Sequence, residues 1–345
     1  MNIKPFGNLP DGRPVQRITL SGYGLTASIL NYGAIVQDLR LIRHKPALVL
    51  GFEKLADYLE HSPYFGAIAG RCANRIQNGM IELDGQSFQL DRNFLGKHCL
   101  HGGSASMGKC LWQIESSSNT AVTLSIDVPD GHMGFPGNLT TKVTYSLMPG
   151  GTLDITMEAF TDKVTLCNLA HHSYFNLNGT GSILKHRLQV LADHYNPVDK
   201  ELIPTGVVNP VADTDFDFRS EKIIANTEHK EKLYTIMNLD HNFCLSQESM
   251  PLRQIAALYS PHSGVFMHIN TTKPGLQIYT GAKINCPVPG LDKMKMGANS
   301  GIAMEPQIWP DSINQPLFPQ AILRPGAQYT QQTQYIFARI CKEQI

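Results

Sequence analysis

The sequence predicts an all-β fold: a large antiparallel β-sandwich with few short helices, the whole span 1–345 being read as one domain. Three observations predict it. Short runs rich in Val, Ile, Thr and Tyr recur at period two, each bounded by Gly, Pro, Asn or Asp. Helical periodicity is scarce, and the strand–helix alternation that builds a parallel sheet is missing. The charged fraction is only 17%, as suits a protein with much buried sheet. A length of 345 residues does not force a split, because large all-β proteins reach this size as single units.

The elements follow in chain order. Residues 17–30 (RITLSGYGLTASIL) and 34–42 (AIVQDLRLI) alternate apolar with polar and read as strands. Residues 53–61 (EKLADYLEH) carry the best helical pattern, about two turns. Strand patterns resume at 121–128 (AVTLSIDV), 139–148 (LTTKVTYSLM) and 152–160 (TLDITMEAF), with Pro149-Gly150-Gly151 as a hairpin signal between the last two. There is no internal repeat, low-complexity linker or block of like charge.

Lys plus Arg equals Asp plus Glu at 29 each, so no basic surplus points to nucleic acid or an anionic membrane. A neutral ligand fits this balance. The start, MNIKPFGNLPDGRP, has no apolar core of a signal peptide, and no run reaches the length of a membrane span. Seven cysteines, at 72, 99, 110, 167, 244, 286 and 341, are scattered without a CxxC, which predicts reduced thiols and a cytoplasmic location. The sequons at Asn138, Asn178 and Asn270 are then chance.

Residues 168–176, NLAHHSYFN, hold more hydrogen-bonding chemistry than a plain core strand needs. In an extended chain His172, Tyr174 and Asn176 point one way, and His171, Ser173 and Phe175 the other. Adjacent His171 and His172 cannot both face one ion, and no H-x-H or H-x-x-x-H spacing exists, so no metal is expected. GSASMGKC (103–110) nearly matches a phosphate-binding loop, but Cys110 replaces its hydroxyl and LWQIESSS does not read as the required helix. No G-x-S-x-G elbow is present. HCLHGG (98–103) sets His101 before two glycines that let backbone approach a ligand, or simply caps a turn. GRCANRI (70–76) places Asn74 and Arg75 among small residues, where an arginine forks onto hydroxyls or makes a structural ion pair. In GIAMEPQIWPDSINQPLFP (301–319), Glu305 follows Ala303-Met304 and precedes Pro306. A carboxylate stripped of hydration there is more basic than in water, as a general base should be. DHNF (240–243) and TTKPGLQIYTG (271–281) add Asp240 and Gln277.

Taken in order, these segments resemble the galactose mutarotase (aldose 1-epimerase) family. Added to GRCANRI, LHGG, DHNF and TTKPGLQIYTG are DGHMGFPGNL (130–139), NLAHHSYFNLNG (168–179), DHYNPVDKELIPTG (193–206), FDFR (216–219), EPQIWPDSINQPLFP and LRPGAQY (323–329). The resemblance implies a β-sandwich and a cofactor-free interconversion of the α and β anomers of free hexoses, by a monomer or homodimer. It implies Glu305 as the base on the C1 hydroxyl, His172 as the acid on the ring oxygen, and His101 as a second histidine near that oxygen. Asn74, Arg75, Asp240 and Gln277 are implied to hold sugar hydroxyls, with Tyr174 beside them. The chemistry is self-consistent, since opening a hemiacetal needs one acid and one base and no nucleophile or metal.

Cys72 stands where the family often has an aromatic residue, His98 where it has asparagine before LHGG, and His171 where asparagine precedes the histidine acid. MGKCLW also departs from the usual stretch after LHGG. Several of these departures are expected to line the rim and so to bear on sugar preference. Two other readings remain: a non-catalytic sugar sensor on the same sandwich, and a glycoside hydrolase or phosphosugar epimerase. A hydrolase needs two carboxylates, and a phosphosugar enzyme needs clustered Arg and Lys.

Overall fold

The computed structural model describes residues 3–225 and 238–340; Cys341 lies outside them. Two antiparallel sheets of nine and six strands dominate. In the larger, Leu139–Met148 pairs with Thr152–Thr161 along its whole length, from Leu139 opposite Thr161 to Met148 opposite Thr152. The turn at Pro149-Gly150-Gly151 joins them. Gly151 has φ +71°, and a Cβ there would lie 2.4 Å from the Phe337 carbonyl oxygen, so the turn demands glycine twice over. Thr152–Thr161 pairs onward with Tyr329–Arg339, and that strand with Val265–Thr271. Burial alternates along Leu139–Met148, as the sequence pattern predicts.

A four-stranded sheet is built from Ile3–Asn8, Pro14–Gly22, Leu25–Leu30 and Val36–Leu41. The 17–30 run is therefore two strands rather than one. Tyr23 (φ 52°) and Gly24 (φ 84°) turn the chain back between them. The helix covers Leu55–His61 and buries Leu55 and Tyr58.

The six-stranded sheet positions the site. Its strands run, in spatial order, Tyr174–Phe175, Ile302–Gln307, Gly275–Tyr279, Asp240–Cys244, His194–Asn196 and Asn209–Pro210. One face supplies Phe175, Phe243, Leu276, Ile278, Ile302 and Met304 to the main core, with Val143, Ile155, Met267 and Tyr335 from the nine-stranded sheet. The Tyr335 hydroxyl donates to the Met304 carbonyl at 3.0 Å, and its ring lies 4.9 Å from that of Phe175. By alternation Tyr174, Ala303, Glu305, Gln277 and Asp240 take the opposite face. Both faces are covered, so every residue of Ile302–Gln307 is buried. That burial hides the period-two signal there.

Residues 168–176 are not one strand. Ala170–His171 pairs with Ile68–Ala69, and Tyr174–Phe175 with Ile302-Ala303. Asn176 does not join His172 and Tyr174: its amide donates to the carbonyls of Gly181 (3.0 Å) and Ser300 (2.8 Å), pinning a turn. His171 faces the core between the rings of Tyr145 and Tyr335. Neither of its ring nitrogens has a hydrogen-bond partner, and burial pushes its pKa down to about 3. The neutral ring is thus compatible with folding above the ordinary histidine pKa, and stability is lost as pH falls from there toward the folded value, at up to roughly 1.4 kcal/mol per pH unit. His171→Asn, which cannot titrate, is expected to unfold at lower pH in an acid titration followed by circular dichroism. An unchanged acid midpoint would contradict this.

Candidate active site

On the outward face of the six-stranded sheet lies a cleft of about 220 Å³ whose walls include Asn74, Arg75, His101, His172, Tyr174, Asp240, Gln277 and Glu305. All eight sequence candidates therefore meet in one place. Strand register explains half of it. Gln277 sits directly opposite Glu305, and Asp240 opposite Tyr279. Tyr174 sits opposite Ala303, two residues from Glu305, so these side chains share a face. Asn74, Arg75 and His101 arrive from a short ladder in which Arg75 pairs with Leu100 and Ile76 with Cys99.

His172 Nε2 lies 3.5 Å from Glu305 Oε1. His172 Nδ1 and Glu305 Oε2 have no hydrogen-bond partner, although both residues are buried. Burial raises the Glu305 carboxyl well above the usual range, with the nearby charge of Asp240 adding to the effect. Burial also pushes His172 down to about 4. Each group resists its charged form, which biases the proton they share toward the carboxyl, beside a neutral imidazole.

His101 is held by reciprocal bonds. Its backbone N–H donates to the Asn74 carbonyl at 3.0 Å, and its Nδ1 accepts from the Asn74 backbone N–H at 3.2 Å. Both residues adopt left-handed φ, 51° and 62°. Gly102 follows at φ +85°, and a Cβ there would lie 2.2 Å from the Gly70 carbonyl oxygen, so only glycine lets the two loops approach this closely. Burial keeps the ring neutral, helped by His172, Arg75 and Lys109. With Nδ1 accepting, the ring's one proton sits on Nε2, making it a donor. His101, His172 and Glu305 each offer an atom within 4.8 Å of the others, a grouping no linear spacing could reveal. The His101 tautomer suits donation of a hydrogen bond rather than ligation of an ion through Nε2.

Asp240 is a hub. Its Oδ2 accepts from Arg75 Nη2 at 3.0 Å and its Oδ1 from Gln277 Nε2 at 2.7 Å. The Arg75 guanidinium also lies 4.8 Å from the Phe94 ring centroid. Its charge is thus matched by a carboxylate and its face by an aromatic ring.

Sequence reasoning missed Tyr64, Phe94, Tyr279 and Lys283, which also line the cleft. Tyr64 packs against His101 at 4.7 Å and His172 at 5.9 Å between ring centroids. Tyr279 was within reach of the alternation rule, being two residues from Gln277. The other three lie outside named strands, where periodicity carries no signal. The three single-residue departures do not line the rim as expected. Cys72 is buried in the main core, His171 faces the opposite side of its segment, and His98 is buried with Nε2 3.2 Å from Glu201 Oε2. The MGKC stretch makes one 3₁₀ turn, Met107–Lys109, then leads to the strand Gln113–Ser117, so the phosphate-loop likeness has no helix behind it.

The aldose 1-epimerase family model matches residues 16–336. A galactose mutarotase of Rattus norvegicus is 40% identical over 96% of this chain and 97% of its own length. An aldose 1-epimerase of Escherichia coli K12 is 35% identical over 95% and 96%. Among solved structures, a GalM/aldose epimerase homologue from C. elegans superposes with TM-score 0.87 at 30% identity, covering 94% of this chain and 99% of that one. With the fold, the cleft and nearly the full length in agreement, the chain belongs to the aldose 1-epimerase family.

Proposed function

We propose that the protein interconverts the α and β anomers of free aldohexoses such as galactose and glucose, with Glu305 as base and His172 as acid. The observation that carries this reading is the pairing of one carboxyl and one imidazole, 3.5 Å apart, in a cleft whose other inner charges cancel. A sugar entering between them donates its C1 hydroxyl to Glu305, which favours the carboxylate and sends the shared proton to His172. His172 then faces the ring oxygen as an acid. Glu305 takes the hydroxyl proton, the ring opens, the C1–C2 bond turns, and reclosure reverses the two roles. His101, fixed as an Nε2–H donor, steadies the ring oxygen, while Asn74, Arg75, Asp240 and Gln277 hold hydroxyls against the Tyr174 wall. The reading takes residues 1–345 as a single domain working in a reducing cytoplasm. The family match over 16–336 and the free cysteines among the described residues support this.

The alternatives fare worse on the same geometry. Both oxygens of Asp240 are engaged by Arg75 and Gln277, which leaves no second free carboxylate for a hydrolase. Arg75 is already neutralised by Asp240, so among the described residues that line the cleft Lys283, which is exposed, is the one cation left for a phosphate. Polarimetry of freshly dissolved α-D-galactose, compared with glucose, xylose and fructose, tests the proposal. Rapid loss of the starting rotation is expected with galactose or glucose. Tight sugar binding without acceleration would favour the sensor instead.

A further inference from the structure

The two catalytic segments are neighbours for only two residues. The ladder between Tyr174–Phe175 and Ile302–Gln307 stops at Tyr174 opposite Ala303. Continued, its register would set His172 against Glu305. Instead the His172 backbone turns aside: its N–H donates to the Ala67 carbonyl at 2.9 Å and its carbonyl accepts from Gly66 N–H at 3.0 Å. The split this leaves in the sheet is the gap across which His172 and Glu305 face each other.

The far end of that split is closed by side chains rather than by backbone. The amide of Asn168, 1% exposed, donates to the Ile308 carbonyl at 3.0 Å and accepts from the Ile308 N–H at 2.8 Å. The backbone of Asn168 is bound as well: its N–H donates to the Arg71 carbonyl at 3.0 Å, and its carbonyl accepts from the Ala73 N–H at 2.6 Å. One residue thus grips the segments carrying Asn74 and Arg75, His172, and Glu305. A second strut lies beside it. The Leu169 N–H donates to the Tyr329 hydroxyl at 3.1 Å, that hydroxyl donates to Gln331 Oε1 at 2.6 Å, and Gln331 Nε2 donates to the Pro306 carbonyl at 2.9 Å.

We propose that Asn168 is a positioning residue that sets the separation of His172 and Glu305, with the Tyr329 hydroxyl as an auxiliary strut. The inference rests on the acid–base reading of that pair. Its physical basis is that a buried side chain satisfying both backbone groups of Ile308 has no alternative partner, so the gap cannot widen without orphaning polar groups. Neither residue is among those lining the cleft, which separates their effect from binding.

The experiment is kinetic. Asn168→Ala is expected to lower kcat about 10–100-fold while the KM for galactose stays within about twofold, because a misplacement of an ångström is felt in the chemical step. The readout that a merely structural role would not move is the width of the pH–rate profile. Burial drives the two titrations apart, so a gap that widens and admits water relieves that burial, brings the limbs toward each other and narrows the bell. Tyr329→Phe, which deletes one oxygen, should narrow it less, and it decides the matter if Asn168→Ala does not fold. Ile155→Ala, in the core of the nine-stranded sheet, serves as a destabilised control whose profile should keep the wild-type width. An unchanged width in folded Asn168→Ala or Tyr329→Phe, or equal narrowing in Ile155→Ala, overturns the proposal. Failure of the underlying reading would show differently, as near-normal rates in Glu305→Gln or His172→Asn.

Discussion

Glu305→Gln is expected to lower the mutarotation rate by about 10²–10⁴-fold, the usual worth of a positioned proton acceptor, with little change in sugar affinity. Glutamine keeps the shape and can still meet a hydroxyl, but it cannot take its proton. The same substitution should stabilise the fold at neutral pH. Burial raises the Glu305 pKa, so its favourable contribution is fully present below the unfolded carboxyl value and is lost as pH rises through the folded one. Glutamine never ionises and escapes that loss. Thermal unfolding should therefore show a higher Tm for the variant near pH 7 and none of this advantage in acid. Polarimetry gives the rate, and a variant within tenfold of wild type would sink the assignment of the base.

His172→Asn is expected to cost a similar factor, about 10²–10⁴-fold, since ring opening needs both proton movements. The double variant should be scarcely slower than either single one, as happens when residues act as a unit. Wild-type kcat/KM should be bell-shaped in pH: it falls in acid when the pair takes a second proton, and in alkali when it loses its last. Burial has pushed His172 down to about 4 and Glu305 up, which spreads the limbs. Each single variant should lose the bell. A double variant slowed by the product of the two single factors would argue that the residues work in separate steps.

The site was legible in the sequence where chemistry interrupts apolar strands. Glu305 amid Ala303, Met304 and Pro306, and the two histidines at 171–172, stand out because a buried strand has little reason to carry them. Alternation also separated His172 from His171 correctly. It failed at Asn176, because the segment breaks between two short ladders and the face it would have shared is spent on a turn. Tyr64, Phe94 and Lys283 were illegible because they lie outside the named strands, where periodicity is silent, and outside the short motifs that singled out Asn74, His101 and His172. Asn168 was visible only as a polar residue; its partner at Ile308 is 140 positions away. The rim assigned to Cys72, His98 and His171 shows the reverse error: proximity in sequence to a catalytic residue is not proximity in space. The hairpin at 149–151 and the inward face of Leu139–Met148 were readable because one side of the pattern stays partly solvated, whereas Ile302–Gln307, covered on both faces, erased its own alternation.

The six-stranded sheet carries its two assignments on interleaved residues: Met304 and Ile278 in the core, Glu305 and Gln277 in the cleft. Variation by substitution and variation by insertion then have opposite prospects. A lineage that replaces Gln277 or Tyr279 reshapes the cleft wall while its core side chains stay as they are. A lineage that gains or drops one residue within Ile302–Gln307 exchanges the two faces at a stroke, turning Met304 toward the sugar and Glu305 into the core. Selectivity in this scaffold can drift one residue at a time, and strand length here cannot drift at all.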